Sequence, residues 1–181
     1  MKTTIKAIAA SLLLSVAFSS ASAWDRGVSL GGGYGNDINH HTYTNSGGIL
    51  TAELMSLKSN TWYNITMNGS LGQWHTTEPL YRDLTTVALT FAFRAYVFYT
   101  NDVHPFLIVS SGPAYISNRS FGYNSQGANV DFQTSGGVGF ELGTAKRAEI
   151  TAQIIHFSNA YTFHPNQGFN IVPVLTLGCL F

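Results

Sequence analysis

The segment TTVALTFAFRAYVFY, Thr85–Tyr99, alternates between two kinds of residue from one position to the next. Its odd positions from Val87 onward are apolar or aromatic, whereas its even positions include Thr86, Thr90 and Arg94. A repeat of two residues is typical of a β-strand, in which successive side chains point to opposite faces. An aromatic face opposite a face of polar and small residues is typical of a strand between lipid and a packed polar lumen. The segment therefore predicts a membrane-spanning β-strand.

The same alternation recurs along the chain in seven further segments. In one of them Val130 and Phe132 face away from Asp131 and Gln133. Eight is the smallest common strand number of a closed membrane barrel, and closure leaves no exposed strand edge. We therefore predict an all-β fold, an eight-stranded antiparallel transmembrane β-barrel. Its predicted strands are residues 25–35, 49–57, 61–72, 85–99, 104–117, 130–143, 147–159 and 169–181.

The connections between these segments alternate between long and short. Residues 36–48, 73–84 and 118–129 are long connections, residues 58–60, 100–103 and 144–146 are short, and residues 160–168 are intermediate. Barrels of the bacterial outer membrane have short periplasmic turns and longer extracellular loops. With a periplasmic N-terminus the chain fits this rule at every connection, and Phe181 resembles the terminal aromatic assembly signal of such barrels. The predicted location is the bacterial outer membrane.

The composition agrees with a membrane-embedded barrel. Charged residues make up 10% of the chain, against roughly 25% in ordinary globular proteins. The net charge of zero argues against a nucleic-acid partner, which demands a basic surface. A basic start, a short apolar run and the small-residue site Ala21-Ser22-Ala23 are typical of a secretory signal peptide. We therefore predict a signal peptide at residues 1–23 and a single barrel domain at residues 24–181.

The segment IIHFSNAYT, Ile154–Thr162, places a histidine and a serine at the end of the seventh predicted strand. His156 and Ser158 have the parity of the lipid-facing residues of that strand, although Ile155 and Phe157 make the lumen side apolar here. Same-face residues two apart are roughly 7 Å apart at Cα, within reach for a histidine that activates a serine nucleophile. In isolation, the spacing favours an interfacial histidine beside a strand-end serine over a catalytic pair.

Four stretches of the sequence resemble the lipid A 3-O-deacylase (PagL-type) family. They are His156-Phe157-Ser158-Asn159-Ala160, Pro165-Asn166-Gln167-Gly168, the glycine-rich segment Thr134–Leu142, and His104-Pro105-Phe106. The resemblance implies an eight-stranded barrel with a Ser-His-Glu triad on its exterior. It implies an esterase that removes the 3-O-linked hydroxyacyl chain of lipid A, with lipopolysaccharide as the substrate and no metal or cofactor.

Carried over onto this sequence, the resemblance implies that Ser158 is the nucleophile and His156 the base. It implies Asn159 as an oxyanion donor and Asn166 as a second asparagine of the substrate-binding motif. The third catalytic position holds Asn170, where the best-known member of the family has glutamate. An amide oxygen can accept a hydrogen bond from the imidazole, but it supplies no charge.

Other acids do not obviously replace this glutamate. By parity Asp131, Glu141 and Glu149 face the lumen, where we expect Glu141, Asp131 or Glu53 to pair with Arg94. Glu78 and Asp83 are assigned to a loop. The missing acid leaves open a non-catalytic barrel with a structural or adhesion role. A third reading is a secreted soluble β-barrel that binds a lipid in its lumen.

Overall fold

In a computed structural model, the described residues of the chain form ten β-strands. Residues 27–36, 42–98, 100, 102–144 and 148–180 are described, so the predicted signal peptide and Phe181 lie outside them. No helix in the described residues is long and apolar enough to cross a membrane. The strands are β1 (Gly27–Asn36), β2 (Thr44–Ser59), β3 (Tyr63–Thr76), β4 (Asp83–Tyr96), β5 (Val103–Ile116), β6 (Ser120–Phe121), β7 (Asn124–Ser125), β8 (Val130–Leu142), β9 (Ala148–Ser158) and β10 (Phe169–Leu180).

Eight of these strands close into an antiparallel barrel in the order β1-β10-β9-β8-β5-β4-β3-β2. The prediction of an eight-stranded barrel is confirmed, and every barrel strand is paired on both sides. The strand β2 begins at Thr44 instead of the predicted residue 49. Gly47 and Gly48, which looked like loop residues, pair with Gly33 and Gly32 of β1. A Cβ on Gly47 would lie 2.2 Å from the Gln73 carbonyl oxygen, so the close approach of β3 requires glycine there.

Side chains alternate between the outside and the inside of the barrel as the sequence predicts. On β4, Val87, Leu89 and Phe91 are exposed on the outer wall, whereas Thr86 and Thr90 are buried in the lumen. The outer wall is thus apolar at the positions that meet lipid.

A buried ion cluster centred on Arg94 lies in the lumen. The Arg94 guanidinium is 3.1 Å from Glu149, 3.5 Å from Glu53 and 3.8 Å from Glu141. The predicted pairing with Glu53 and Glu141 is confirmed. Asp131 is not one of these partners, because it lies at the opposite end of β8 from Glu141. The cluster joins β2, β4, β8 and β9 across the barrel.

The extracellular end of the lumen is apolar, which corrects the expectation of a polar lumen throughout. Its buried residues include Trp74, Leu84, Ile116, Ile155 and Phe157. The apolar residues that break the alternation of β9 therefore pack inside the barrel. A cavity of about 50 Å³ remains among the polar residues below them. This space is too small for a lipid, so the reading of a lipid-binding lumen is wrong.

The strands β6 and β7 form a short hairpin within the predicted loop of residues 118–129. Gly122 adopts a φ of 61° at the first central position of its turn, as a type II′ hairpin requires. The hairpin inserts Phe121 into the apolar cluster, where its ring lies 5.9 Å from that of Phe169. The hairpin thus covers part of the extracellular mouth of the barrel.

Candidate active site

His156 and Ser158 lie on the outer wall, at the extracellular end of β9. Both side chains are partly exposed, whereas the intervening Phe157 and the preceding Ile155 are buried inside the barrel. The predicted outward direction of the histidine and the serine agrees with this burial pattern. The pair therefore lies on the face that a membrane barrel presents to lipid.

Asn170 is the register partner of His156 across β9 and β10. Its Oδ1 atom lies 2.9 Å from His156 Nδ1. Because an amide oxygen can only accept, Nδ1 carries the hydrogen in this arrangement and donates it to Asn170. The lone pair of the neutral ring is then on Nε2, which is the tautomer that a general base for a serine needs.

Ser158 is the next outward-facing residue after His156 on β9, and it lies opposite Phe132 of β8. Within the described residues the Ser158 hydroxyl makes no hydrogen bond, and the His156 imidazole makes none besides that to Asn170. The site thus contains an oriented imidazole and a serine hydroxyl on the same face, separated by one strand repeat. Catalytic hydrogen bonds are often long in the absence of substrate.

Gly168 packs against the edge of the His156 ring. Its φ is +67°, and a Cβ at this position would lie 2.7 Å from Cε1 and 3.3 Å from Nε2 of the imidazole. Any larger residue would displace the ring. The sequence offered Gly168 only as the last residue of the motif Pro165–Gly168, and its contact depends on how the loop returns to β10.

Asn159 and Asn166 hold the loop that follows Ser158. The Asn159 side-chain amide donates to the carbonyl oxygens of Phe163 at 2.8 Å and Pro165 at 3.3 Å. The Asn159 backbone N–H donates to Asn166 Oδ1 at 3.1 Å. The side chain of Asn159 is buried and its donors are occupied. The expected oxyanion role for this side chain therefore does not fit the arrangement, in which Asn159 and Asn166 shape the loop.

A β-turn at Asn159–Thr162 begins directly after Ser158. The Thr162 N–H donates to the Asn159 carbonyl oxygen at 2.9 Å, and both central residues, Ala160 and Tyr161, have positive φ. Their backbone N–H groups have no hydrogen-bond partner among the described residues. Turns of this kind normally contain Asn or Gly, so the sequence Ala160-Tyr161 gave no signal for it.

The alternative acids lie away from His156. Asp131, Glu141 and Glu149 are buried inside the barrel. Glu78 is also buried and accepts the backbone N–H of Tyr123. Asp83, which begins β4 instead of lying in a loop, pairs with His75 at 3.1 Å. Asn170 is therefore the residue that orients the imidazole.

No group of three or more histidine, cysteine, aspartate and glutamate residues in the described part of the chain could hold a metal ion. The side chains brought together at the candidate site are an imidazole and a hydroxyl, the pair that base-activated nucleophilic catalysis uses.

Comparisons with known proteins point to one family. The sequence profile described as lipid A 3-O-deacylase (PagL) matches residues 42–176 of this chain. The chain belongs to the lipid A 3-O-deacylase (PagL) family. The expectation drawn from the sequence motifs is thereby confirmed, and this barrel is a protein of the bacterial outer membrane, with lipid A as the substrate that the family implies.

A solved structure agrees with the family at the level of the fold. The crystal structure of the outer membrane enzyme PagL matches with a TM-score of 0.63 and 18% identity, over 84% of this chain and 97% of that one. The N-terminal β-barrel domain of Pseudomonas aeruginosa OprF matches with a TM-score of 0.48 and 16% identity, over 87% of this chain and 96% of that one. No curated protein sequence matches the chain.

Proposed function

We propose that this member of the lipid A 3-O-deacylase family is a serine-type ester hydrolase with Ser158 as nucleophile, His156 as base and Asn170 as the group that orients the base. The observation that supports this assignment is the 2.9 Å contact between His156 Nδ1 and Asn170 Oδ1 on the outer wall. It holds the imidazole in the tautomer with a free Nε2, one strand repeat from the serine hydroxyl.

The first half of the reaction transfers the acyl chain to the enzyme. His156 Nε2 takes the proton of Ser158 as Oγ attacks the carbonyl carbon of the ester. The resulting tetrahedral intermediate collapses, and the imidazolium returns the proton to the departing sugar oxygen. Ser158 then carries the 3-hydroxyacyl group as an ester.

The negative oxygen of the intermediate needs hydrogen-bond donors. The backbone N–H groups of Ala160 and Tyr161 are close in sequence to Ser158 and have no other partner among the described residues. They are therefore the donors that we assign to the oxyanion, in place of the occupied amide of Asn159.

The second half of the reaction releases the fatty acid. His156 removes a proton from water, whose oxygen attacks the acyl ester of Ser158, and the proton returns to Ser158 Oγ as the acid leaves. Water reaches this position because the site is at the extracellular end of β9, beside the loop that begins at Asn159.

The test is to express the protein in a bacterial host with 3-O-acylated lipid A and to measure the lipid A by mass spectrometry. We expect the wild type to remove the mass of one hydroxyacyl chain and Ser158→Ala to leave lipid A intact, because the variant lacks the nucleophile. Ser111→Ala is the matched control, since Ser111 is also an exposed serine of the outer wall but lies on β5.

Intact lipid A with a correctly folded wild type would contradict the proposal. It would favour the alternative of a non-catalytic outer-membrane barrel, for which the neutral Asn170 at the third position is the supporting observation. Deacylation by Ser158→Ala at the wild-type rate would contradict the assignment of the nucleophile alone.

A further inference from the structure

The turn after Ser158 contains residues that disfavour its conformation. Ala160 has a φ of 50° and Tyr161 a φ of 62°. The left-handed conformation is unfavourable for an L-residue with a Cβ, and a turn with two such residues strongly prefers Asn-Gly or Gly-Gly. Strain of this kind persists where the surrounding structure imposes it, and it is concentrated at functional sites.

Packing inside the protein does not explain the tyrosine. The Tyr161 side chain is 73% exposed, the highest exposure among the large apolar and aromatic side chains of the described residues. Its ring centroid is 6.4 Å from that of His164, which is itself exposed. Glycine would form the same turn without strain, so the tyrosine side chain needs a reason outside the fold.

The position of Tyr161 relative to the reacting ester supplies that reason. Ser158 ends β9, and Tyr161 is three residues further out, in the extracellular loop. The ester of lipid A joins an acyl chain in the membrane to a glucosamine ring above it. A substrate whose ester carbonyl meets Ser158 therefore places its sugar at the level of this loop.

We propose that Tyr161 is a substrate-contacting residue that stacks on the face of a glucosamine ring of lipid A and contributes to the choice of a sugar-linked ester. Aromatic rings bind the apolar C–H face of a sugar, while the hydroxyl group of a tyrosine remains available to water or to polar substituents. The inference rests on the proposed function, because it takes Ser158 as the position of the ester.

The test compares two substrates on the full-length protein in vesicles. One is lipid A, and the other is a p-nitrophenyl ester of a 3-hydroxy fatty acid, which has the acyl chain but no sugar. Tyr161→Gly adopts the same φ without strain and keeps the backbone N–H that we assign to the oxyanion, so any effect on the reacting ester is shared by the two substrates. We expect KM for lipid A to rise by about threefold to tenfold more than KM for the p-nitrophenyl ester, which has no sugar to contact the ring.

Three other variants sharpen the result. Tyr161→Phe keeps the ring and should keep the wild-type KM. Tyr161→Asn, which tolerates a positive φ, should repeat the effect of Tyr161→Gly and guards against a folding defect of that variant. Tyr81→Gly is the matched control, because Tyr81 has a φ of 50° and is 60% exposed. It lies on the loop between β3 and β4, and its backbone carbonyl accepts the N–H of Gly122 in the β6–β7 hairpin, a contact that Tyr81→Gly keeps. The control should therefore leave both substrates unaffected.

An unchanged KM for lipid A in both Tyr161→Gly and Tyr161→Asn would overturn the inference. Equal losses on both substrates would also overturn it, since Tyr161 would then act on the reacting groups and not on the sugar. A wild type that hydrolyses neither substrate would instead contradict the proposed function, so the two failures are distinguishable.

Discussion

In the proposed mechanism, Asn170 takes the position at which the family resemblance implies a glutamate. Its amide oxygen accepts the Nδ1 hydrogen of His156 at 2.9 Å and so fixes the tautomer and orientation of the ring. It brings no negative charge to stabilise the imidazolium that forms when Ser158 loses its proton. Replacing the acid of a serine protease triad by asparagine costs about 10⁴ in rate, which sets the scale of what a charge could add here.

Asn170→Asp should raise kcat on lipid A by about tenfold or more, because the carboxylate stabilises the imidazolium. The measurement is the rate of lipid A deacylation, with Asn170→Ala as the variant that loses the contact. An unchanged rate in Asn170→Asp would show that Asn170 is not the third member of the site.

Gly168→Ala should lower kcat by about 10²-fold, on the scale of a misplaced catalytic group, because its Cβ would lie 2.7 Å from the His156 ring. Gly143→Ala is the matched control. Gly143 also has a positive φ, of 85°, but an added Cβ there meets nothing within 4 Å. Both variants bear the backbone strain and only Gly168→Ala touches the imidazole. Equal deacylation rates for the two would contradict the role of this close approach.

At the level of single residues, the sequence predicts the face on which a side chain lies better than the atoms that the side chain contacts. His156 and Ser158 could be assigned to the outer wall because the strand period is two and Glu149 and Thr151 fix the parity. The contact of Gly168 with the ring and the partners of Asn159 could not be predicted. Both depend on the path of a loop, which is set by tertiary hydrogen bonds and not by local pattern.

The loop after Ser158 is held from outside by the β6–β7 hairpin. The Ser125 N–H donates to Gln167 Oε1 at 2.7 Å, and the Gln167 N–H donates back to the Ser125 carbonyl at 3.1 Å. A further bridge pairs Gln126 with Asn166. Glu78 in turn holds the hairpin by accepting the N–H of Tyr123. The loop that shapes the candidate site is therefore positioned by two other extracellular loops.

Phe121→Ala should lower the free energy of unfolding by about 3–5 kcal/mol, the usual cost of removing a buried phenylalanine, and should reduce deacylation as the hairpin loosens. Phe121 is 2% exposed and its ring contacts that of Phe169, next to Asn170. Urea unfolding in vesicles together with the lipid A assay would measure both effects. Tyr123→Ala, at the more exposed tip of the same hairpin, should change little. A loss as large for Tyr123→Ala would argue against the role of the buried ring.

The strands could be predicted more fully than the structure between them. Long alternating segments such as Thr85–Tyr99 give a strong signal because lipid and lumen impose opposite polarities on the two faces. The start of β2 was missed because glycines carry no polarity. The hairpin was missed although Gly122 at the first central position of its turn is the residue that such a turn prefers.

At the scale of the whole molecule, the lumen of the barrel is filled by a polar centre and by an apolar layer at its extracellular end. Arg94 is 6% exposed and joins three carboxylates from three other strands. The buried guanidinium needs these carboxylate partners, because an unpaired buried charge is costly. The strand number and the pairing of Arg94 with Glu53 and Glu141 followed from the sequence, whereas its pairing with Glu149 did not. The apolar layer did not, because Ile155 and Phe157 have the same parity as the polar lumen residues below them.

The outward direction of His156 and Ser158 has a consequence for kinetics. A site on the side wall meets molecules that travel within the plane of one leaflet, so encounters follow two-dimensional diffusion. The quantity that sets the rate is then the number of substrate molecules per unit of membrane area. Diluting lipid A with inert lipid would slow the reaction at constant bulk molarity, whereas adding more vesicles of the same composition would not.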